Sequence, residues 1–371
     1  MPSTAIRQEI IAKALKIVVK VGTNALTDET GRLDRAVVES LVDQIAAVMK
    51  TGIGVTLVAS GAIGAGIAEL NLPARPTELD MLQAAAAVGQ GRLMRIFQDA
   101  FGVHCVKVAQ VLLTRDDFEH RGRYLSIRKT LSALGRCGAL AILNENDAVG
   151  GRLACFGDND IIAALVANMI RADLLVLLSV VDGVLKDGQP LDVIQQVDPA
   201  SLTLAGAYRS KLGSGGMGTK MTAAGMVTAA GEVAIVANAR TPDVLRRILA
   251  GEKLGTVFLP ALRKMSSRRR WIGQASRPAG KIMIDDGAAR ALGQGGKSLL
   301  PSGIQAVSGT FRRGATVAII DATGRQIARG LTNYSSEQID RIKGLKSAQI
   351  AKALGEKPYD EVVHRNNMML G

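Results

Sequence analysis

Six short, nearly unbroken aliphatic runs dominate the first two thirds of the chain: KIVV (16–19), VTLVA (55–59), VKVAQVLL (106–113), ALAIL (139–143), LLVLLSVV (174–181) and EVAIVA (232–237). They lack the in–out alternation of a strand with one wet face, so they read as strands buried on both sides. Between them lie alanine- and leucine-rich stretches with helical spacing at 35–50, 77–101, 123–134, 159–171, 220–230 and 242–249. Thr241 reads as the N-cap of the last stretch, with Pro242 in its first helical position. This alternation predicts an α/β fold, a three-layer αβα sandwich on a mostly parallel sheet.

The pattern changes beyond residue 260. Short strands divided by Gly, Pro and Asp follow: KIMI (281–284), SGIQAVSG (302–309), ATVAIID (315–321) and QIARGLT (326–332). They predict a small C-terminal β-barrel-like module. The join is marked by charge. The whole chain carries +13, yet residues 261–280 hold six Lys or Arg and no acid, concentrated in RKMSSRRRWIG (263–273). Three segments are expected: a domain over 1–260, a basic linker over 261–277 and the module over 278–371. The basic run can face a polyanion, but only 3% of residues are aromatic, leaving few rings to stack bases. A solvated linker is the simpler account.

A length of 371 residues with 47% hydrophobic content excludes a disordered chain. Cys105, Cys137 and Cys155 fit neither a disulfide framework nor a CxxC site, which points to a reducing compartment. His104, His120 and His364 have no metal-ligand spacing, so no protein-held transition metal is expected. The longest uncharged stretch, 51–68, contains five glycines and is shorter than the ~20 apolar residues of a membrane span. No signal peptide and no membrane partner are expected, and the location is expected to be cytoplasmic.

In an α/β sheet, ligands gather where strands meet their following loops. Five segments qualify. KIVVKVGTN (16–24) puts Lys20 at a strand end beside a glycine. LVASGAIGAG (57–66) places Ser60 before a glycine-rich helix start, whose free amides suit an anion. LNENDAV (143–149) and GDND (157–160) gather Asn144, Glu145, Asn146 and Asp147, then Asp158, Asn159 and Asp160. Such a mix can hold a zwitterionic amino acid, with carboxylates taking the ammonium and amides taking the carboxylate; Asp158 also reads as a helix N-cap. GSGGMGTK (213–220) satisfies GxGxxG through Gly213, Gly215 and Gly218, but no buried strand precedes it and its spacing is not that of a P-loop. It remains an amide-rich loop with Lys220 opening a helix. Two lysines, an anion-binding helix start and a polar pocket suggest phosphoryl transfer, in which alignment and charge neutralisation by Lys and Mg²⁺ carry the catalysis. A carboxylate acceptor, ionised at neutral pH, needs no general base.

In their order along the chain, KxGT, SGAI, NENDAV with GDND, and GxGGMxTK resemble the amino acid kinase family, and within it the glutamate-phosphorylating branch. Residues 297–321 resemble the PUA domain, an RNA-associated module. The resemblance implies that ATP, with Mg²⁺, phosphorylates the γ-carboxylate of L-glutamate, the first step of proline biosynthesis. It implies that Lys20 and Lys220 stabilise the transferring group, with Asp160 orienting both. Ser60, Asn144, Asp147 and Asn159 would bind glutamate. Lys20, Ser179, Val180, Ser214, Gly215, Gly216, Met217, Gly218, Thr219 and Lys220 would bind the nucleotide. L-proline as feedback inhibitor, a homo-oligomer, hand-off to glutamyl-phosphate reductase and RNA at the PUA-like module are further expectations of the resemblance.

One departure stands out. Where relatives resemble S/T-D-x-x-G-L-Y, this chain has Val180 for the acid and Leu185 for the aromatic, which bears on nucleotide affinity. Two alternatives remain at this point: a related kinase acting on acetylglutamate, aspartate or carbamate, and an RNA-binding protein acting through its basic tail.

Overall fold

The aliphatic runs form strands because each can bury both faces. In the computed structural model, which describes residues 5, 7–28, 32–149, 159–203, 216–262 and 264–370, the strands are β1 (Lys16–Val21), β2 (Gly54–Ala59), β3 (Val108–Leu113), β4 (Leu140–Glu145) and β5 (Leu174–Ser179). A small hairpin, β6 (Leu185–Lys186) and β7 (Gln189–Pro190), and β8 (Val193–Ile194) lead towards β9 (Val233–Asn238) and β10 (Thr256–Phe258). One sheet orders them β3-β4-β2-β1-β5-β9-β10-β8. β1 to β5 and β9 are mutually parallel, so their carboxyl ends share one edge; β10 runs antiparallel to β9. The chain builds outward from β1 on one side through β2, β4 and β3, and on the other through β5 and β9.

The main helices are α1 (Arg35–Lys50), α2 (Ala62–Glu69), α3 (Leu79–Val103), α4 (Arg121–Arg136), α5 (Asn159–Ile170), α6 (Met217–Ala229) and α7 (Val244–Leu249). Ile17, Val19 and Val21 of β1 pack in one core with Val42 and Ile45 of α1, Phe97 of α3 and Ile248 of α7. Strand side chains alternate in direction. Val18 and Lys20 therefore face the opposite layer, where α5 packs against β1. This is the expected three-layer sandwich.

Two local expectations change. VKVAQVLL does form β3, but it is largely half-exposed, because it lies at the sheet edge and pairs with β4 alone. The last helix begins at Val244 rather than Pro242, following Asp243 at φ +53. Thr241 belongs to the preceding turn, in which the Val244 amide donates to the Thr241 carbonyl at 3.2 Å.

The chain divides into two units, Met1–Lys264 and Met265–Gly371. In the second, β11 (Gly280–Ile284), β12 (Ile304–Ser308), β13 (Thr316–Ile320), β14 (Gln326–Thr332) and β15 (Val363–Leu370) form a mixed sheet ordered β12-β11-β13-β14-β15. Ile282, Ile319 and Ala328 pack with Leu292 and Ile339 beneath it. β15 escaped sequence reasoning because HRNNMML has no aliphatic run. Residues 267–271 of the basic segment, within the second unit, are not a solvated stretch. Ser267–Arg270 is a helical turn, α8, whose Arg270 and the following Trp271 are buried. Arg268 donates to Asn367 Oδ1 at 2.6 Å and Arg269 to the Arg365 carbonyl at 3.2 Å, both on β15. Among the described residues no helix is long and apolar enough to cross a membrane.

Candidate active site

The shared carboxyl edge gathers the polar residues. Lys20 is the penultimate residue of β1 and is only 3% exposed. Its Nζ lies 2.6 Å from Asp160 Oδ1. Lys220, in the first turns of α6, reaches Oδ2 of the same carboxylate at 2.9 Å. Asp160 itself is fully buried, in the first turn of α5. Burial alone would push its carboxyl up, but the two ammonium groups outweigh that and hold it below the usual carboxylate range. Removing one cation would leave a buried carboxylate undercompensated, a change of about 3–5 kcal/mol in comparable pairs. Thr219 hydroxyl lies 3.4 Å from Asp160 Oδ2 and accepts from the Gly216 amide at 3.1 Å. The α6 start is thereby tied to the same carboxylate. The helix begins at Met217, so Lys220 lies inside its first turn rather than opening it.

A chain of amides lies on the β2–β4 side. Asn159 Nδ2 donates to Ser60 Oγ and to Asn144 Oδ1, both at 2.8 Å. Asn144 Oδ1 also accepts from the Glu145 amide at 2.9 Å, and its Nδ2 donates to Gln90 Oε1 at 2.9 Å. Ser60 directly follows β2, and Gly61 at φ +114 turns the chain into α2, a backbone region that favours glycine. The first-turn amides of α2 lack helical acceptors and open beside Ser60, an anion-binding geometry. α2 is held there by its crossing with α3: a Cβ on Gly66 would lie 1.8 Å from the Ala85 carbonyl oxygen, and one on Gly89 would lie 1.8 Å from that of Ala62.

Asp147 is in the wall of the adjoining cleft of about 210 Å³, with Gln90, Gln110 and Glu145. Burial pushes its carboxyl up to about 6, partly countered by Arg75. On the other side of β1, a cleft of about 230 Å³ opens beyond β5 and β9, walled by Asp182, Asp192, Asn238, Thr241 and Leu254 among others. Asn238 Nδ2 donates to Asp182 Oδ1 at 2.9 Å. Ser179 ends β5, its carbonyl accepting from the Ala239 amide at 2.8 Å; Val180, the next residue, is exposed.

The structure thus joins Lys20, Asp160 and Lys220 in one cluster, and Ser60, Asn144 and Asn159 in another. Asp147 lines the neighbouring cleft, and Gly216, Met217, Gly218 and Thr219 form the start of α6. Ser214 and Gly215, like Gly213, Asp158 and Cys155, lie outside the described residues. Sequence reasoning missed Gln90, although a lone amide ending the apolar run AAAAVG was a signal, and it missed Asp182 and Asn238. Among the described residues, no three His, Cys, Asp or Glu side chains cluster as a metal cage.

A mostly parallel sheet with two lysines on one buried carboxylate at its carboxyl edge suits a phosphoryl-transfer enzyme of the α/β class. Residues 16–238 match the amino acid kinase family, and the chain belongs to it. Residues 280–354 match the PUA domain. Within the family the similarity is specific. The chain is 46% identical over 363 residues to the glutamate 5-kinase of Caldanaerobacter subterraneus subsp. tengcongensis, covering 96% of this chain and 98% of that protein. It is 44% identical to the glutamate 5-kinase of a Thermoanaerobacter species over the same shares. Among solved structures, a carbamate kinase of Giardia aligns over 67% of this chain and all of its own, at 21% identity and a TM-score of 0.49.

Proposed function

We propose that this chain transfers the γ-phosphoryl group of ATP to the side-chain carboxylate of L-glutamate, giving L-glutamyl 5-phosphate at the entry to proline biosynthesis. The observation that carries the proposal is the pair of lysines on one buried carboxylate at the carboxyl edge, between the amide cluster and the β5–β9 cleft. The names of the near relatives support the choice of acceptor.

Glutamate enters on the amide side. Its α-carboxylate meets the free amides of α2 with Ser60, Asn159 and Asn144 beside them, and its ammonium meets Asp147. The γ-carboxylate is directed to the lysine pair. It is ionised at neutral pH, since its ordinary pKa is ~4.3, so it attacks without a general base. A bond forms between a γ-carboxylate oxygen and the γ-phosphorus; the bond from that phosphorus to the bridging oxygen breaks, and ADP leaves with the electron pair. Lys20 and Lys220 neutralise charge on the migrating group. Asp160 keeps both ammonium groups aimed. The nucleotide lies along the start of α6 and over the β5–β9 cleft. Both Asp160 oxygens are taken by lysines, so Mg²⁺ enters as part of the substrate, on the ATP phosphates.

Inhibition by L-proline, assembly into a homo-oligomer, hand-off to glutamyl-phosphate reductase and RNA binding by the second unit belong to the same reading and rest on the family resemblance. A cytoplasmic location rests on the cysteine pattern and on the sequence reading, which expects no signal peptide or membrane span. The decisive experiment traps the acyl phosphate with hydroxylamine while offering glutamate, aspartate, acetylglutamate and carbamate in turn. Glutamate should be consumed fastest; turnover of another acid with none of glutamate would end the proposal.

A further inference from the structure

Among the described residues of the first unit, Arg7 is a buried cation that the site as described does not use. Arg7, near the start of the chain, is 1% exposed. Its Nη2 lies 2.7 Å from Asp192 Oδ1 and donates to the Gly255 carbonyl at 3.0 Å. Its Nη1 donates to the carbonyls of Leu254 at 2.8 Å and Glu252 at 3.2 Å. One planar guanidinium therefore binds two segments far apart in sequence, the strap before β8 and the turn before β10. Asp192, Leu254 and Gly255 are all walls of the β5–β9 cleft.

The two segments are stitched at only a few other points. Thr256 hydroxyl donates to the Leu191 carbonyl at 2.6 Å and accepts from the Val184 amide at 2.9 Å. β8 and β10 pair over just two residues. Gly255 adopts φ +65, and a Cβ there would lie 2.2 Å from the Val236 carbonyl oxygen, so the turn presses directly on β9. Lys253 approaches Asp192 only at 3.5 Å and is largely exposed. A buried fork whose two terminal nitrogens are held by one carboxylate and several carbonyls is a fixed-geometry clamp that a lysine cannot reproduce.

We propose that Arg7 is a positioning residue for the nucleotide: it sets the distance between the 190–192 strap and the 252–255 turn and so fixes the shape of the cleft that receives ATP. This inference rests on the reading of that cleft as the nucleotide site. Arg7 touches no reacting atom, so its loss should weaken ATP and spare glutamate.

The test is steady-state kinetics on the full chain with Arg7→Met, Arg7→Lys and, as a marker of the cleft itself, Asn238→Ala. Melting temperature is recorded for each with and without ADP. The expected result is an ATP KM raised about tenfold in both Arg7 variants, equivalent to roughly 1.4 kcal/mol, with the glutamate KM and kcat within about twofold of wild type. The stabilisation given by ADP should shrink in parallel. If Arg7→Met fails to fold, Arg7→Lys, which retains the charge and stem, decides the matter. An ATP KM unchanged in the Arg7 variants but raised in Asn238→Ala would overturn the clamp and leave the cleft intact. An ATP KM unchanged in all three would overturn the reading of the cleft. Equal losses for ATP and glutamate would reduce Arg7 to general stability and also overturn the proposal.

Discussion

Lys20 and Lys220 share a counterion: the first reaches Oδ1 of Asp160 at 2.6 Å and the second Oδ2 at 2.9 Å. One ammonium comes from the central strand and the other from a helix near the opposite end of the first unit. The carboxylate between them lets two like charges sit together without water. A substrate phosphoryl group arriving there meets cations already aimed, so little reorganisation accompanies reaction.

Removal of either lysine should therefore act on kcat. Lys20→Met and Lys220→Met are each expected to lower kcat by about 10²–10³-fold, the scale of losing one preorganised charge-stabilising group. The glutamate KM should change little by comparison. Acyl-phosphate trapping with both substrates varied measures this; a variant retaining more than a tenth of wild-type kcat would contradict it.

Asp147 should impose a pH dependence. Its carboxyl is pushed up to about 6, and only the ionised form can take an ammonium. kcat/KM for glutamate should therefore fall as pH drops through about 6, well above the γ-carboxylate's own titration. Asp147→Asn should lower kcat/KM at neutral pH and abolish that acid limb. The stability effect has the matching sign: the folded chain holds the proton more tightly than an ordinary aspartate, with its pKa near 3.8, would. Burial of Asp147 thus costs nothing below pH 3.8 and its full penalty above about 6, and Asp147→Asn should remove that fall in stability with rising pH.

The crossing of α2 and α3 leaves no room for a methyl group. Gly66→Ala or Gly89→Ala would set a Cβ 1.8 Å from backbone carbonyl oxygen, and the helices must part. A loss of about 1–3 kcal/mol or more is expected, measured by chemical denaturation. α2 carries the amides next to Ser60, so the glutamate KM should rise while the ATP KM stays near wild type.

Val180 lies exposed just past β5, two positions before Asp182, which walls the β5–β9 cleft. A carboxylate there can accept from a nucleotide hydroxyl, a charged hydrogen bond worth roughly 1.5–3 kcal/mol. Val180→Asp should lower the ATP KM severalfold, and an unchanged or higher value would remove this residue from the nucleotide's surroundings.

Where the chain is cut should matter. A protein ending at Lys264 keeps the ion pair from Lys264 Nζ to buried Glu232 at 2.8 Å and should phosphorylate glutamate. One ending at Arg277 carries Trp271 and Ile272, buried in the whole protein, without β15 to cover them, and should aggregate. Light scattering and activity of the two truncations check this.

Strands β1 to β5 and β9 and Lys20 were legible because each signal is local, an aliphatic run or a polar residue closing one; Lys220 showed as the lysine ending a glycine-rich loop. Asp160 was legible as one of the polar residues of GDND, but its pairing with both lysines only through the resemblance, since those partners are set by the sheet order. Arg7 could not be read at all. One arginine in a charged leader looks like solvated surface, and its acceptors are mostly backbone carbonyls, which leave no trace in residue identity. β3 was misjudged in burial because an apolar run does not record whether a second neighbour strand exists. The basic run 263–273 deceived for a related reason: Arg268 and Arg269 are satisfied by β15, whose sequence carries no strand signal.

The sheet grows from β1 in two directions, one arm carrying the amide cluster and the other the β5–β9 cleft. Under the proposed function, the recipient of the phosphoryl group and its donor would be recognised by loops with no segment in common, meeting only over the central lysine. Natural selection could then retool either arm alone, exchanging one carboxylic acid for another while leaving the machinery for ATP inherited whole.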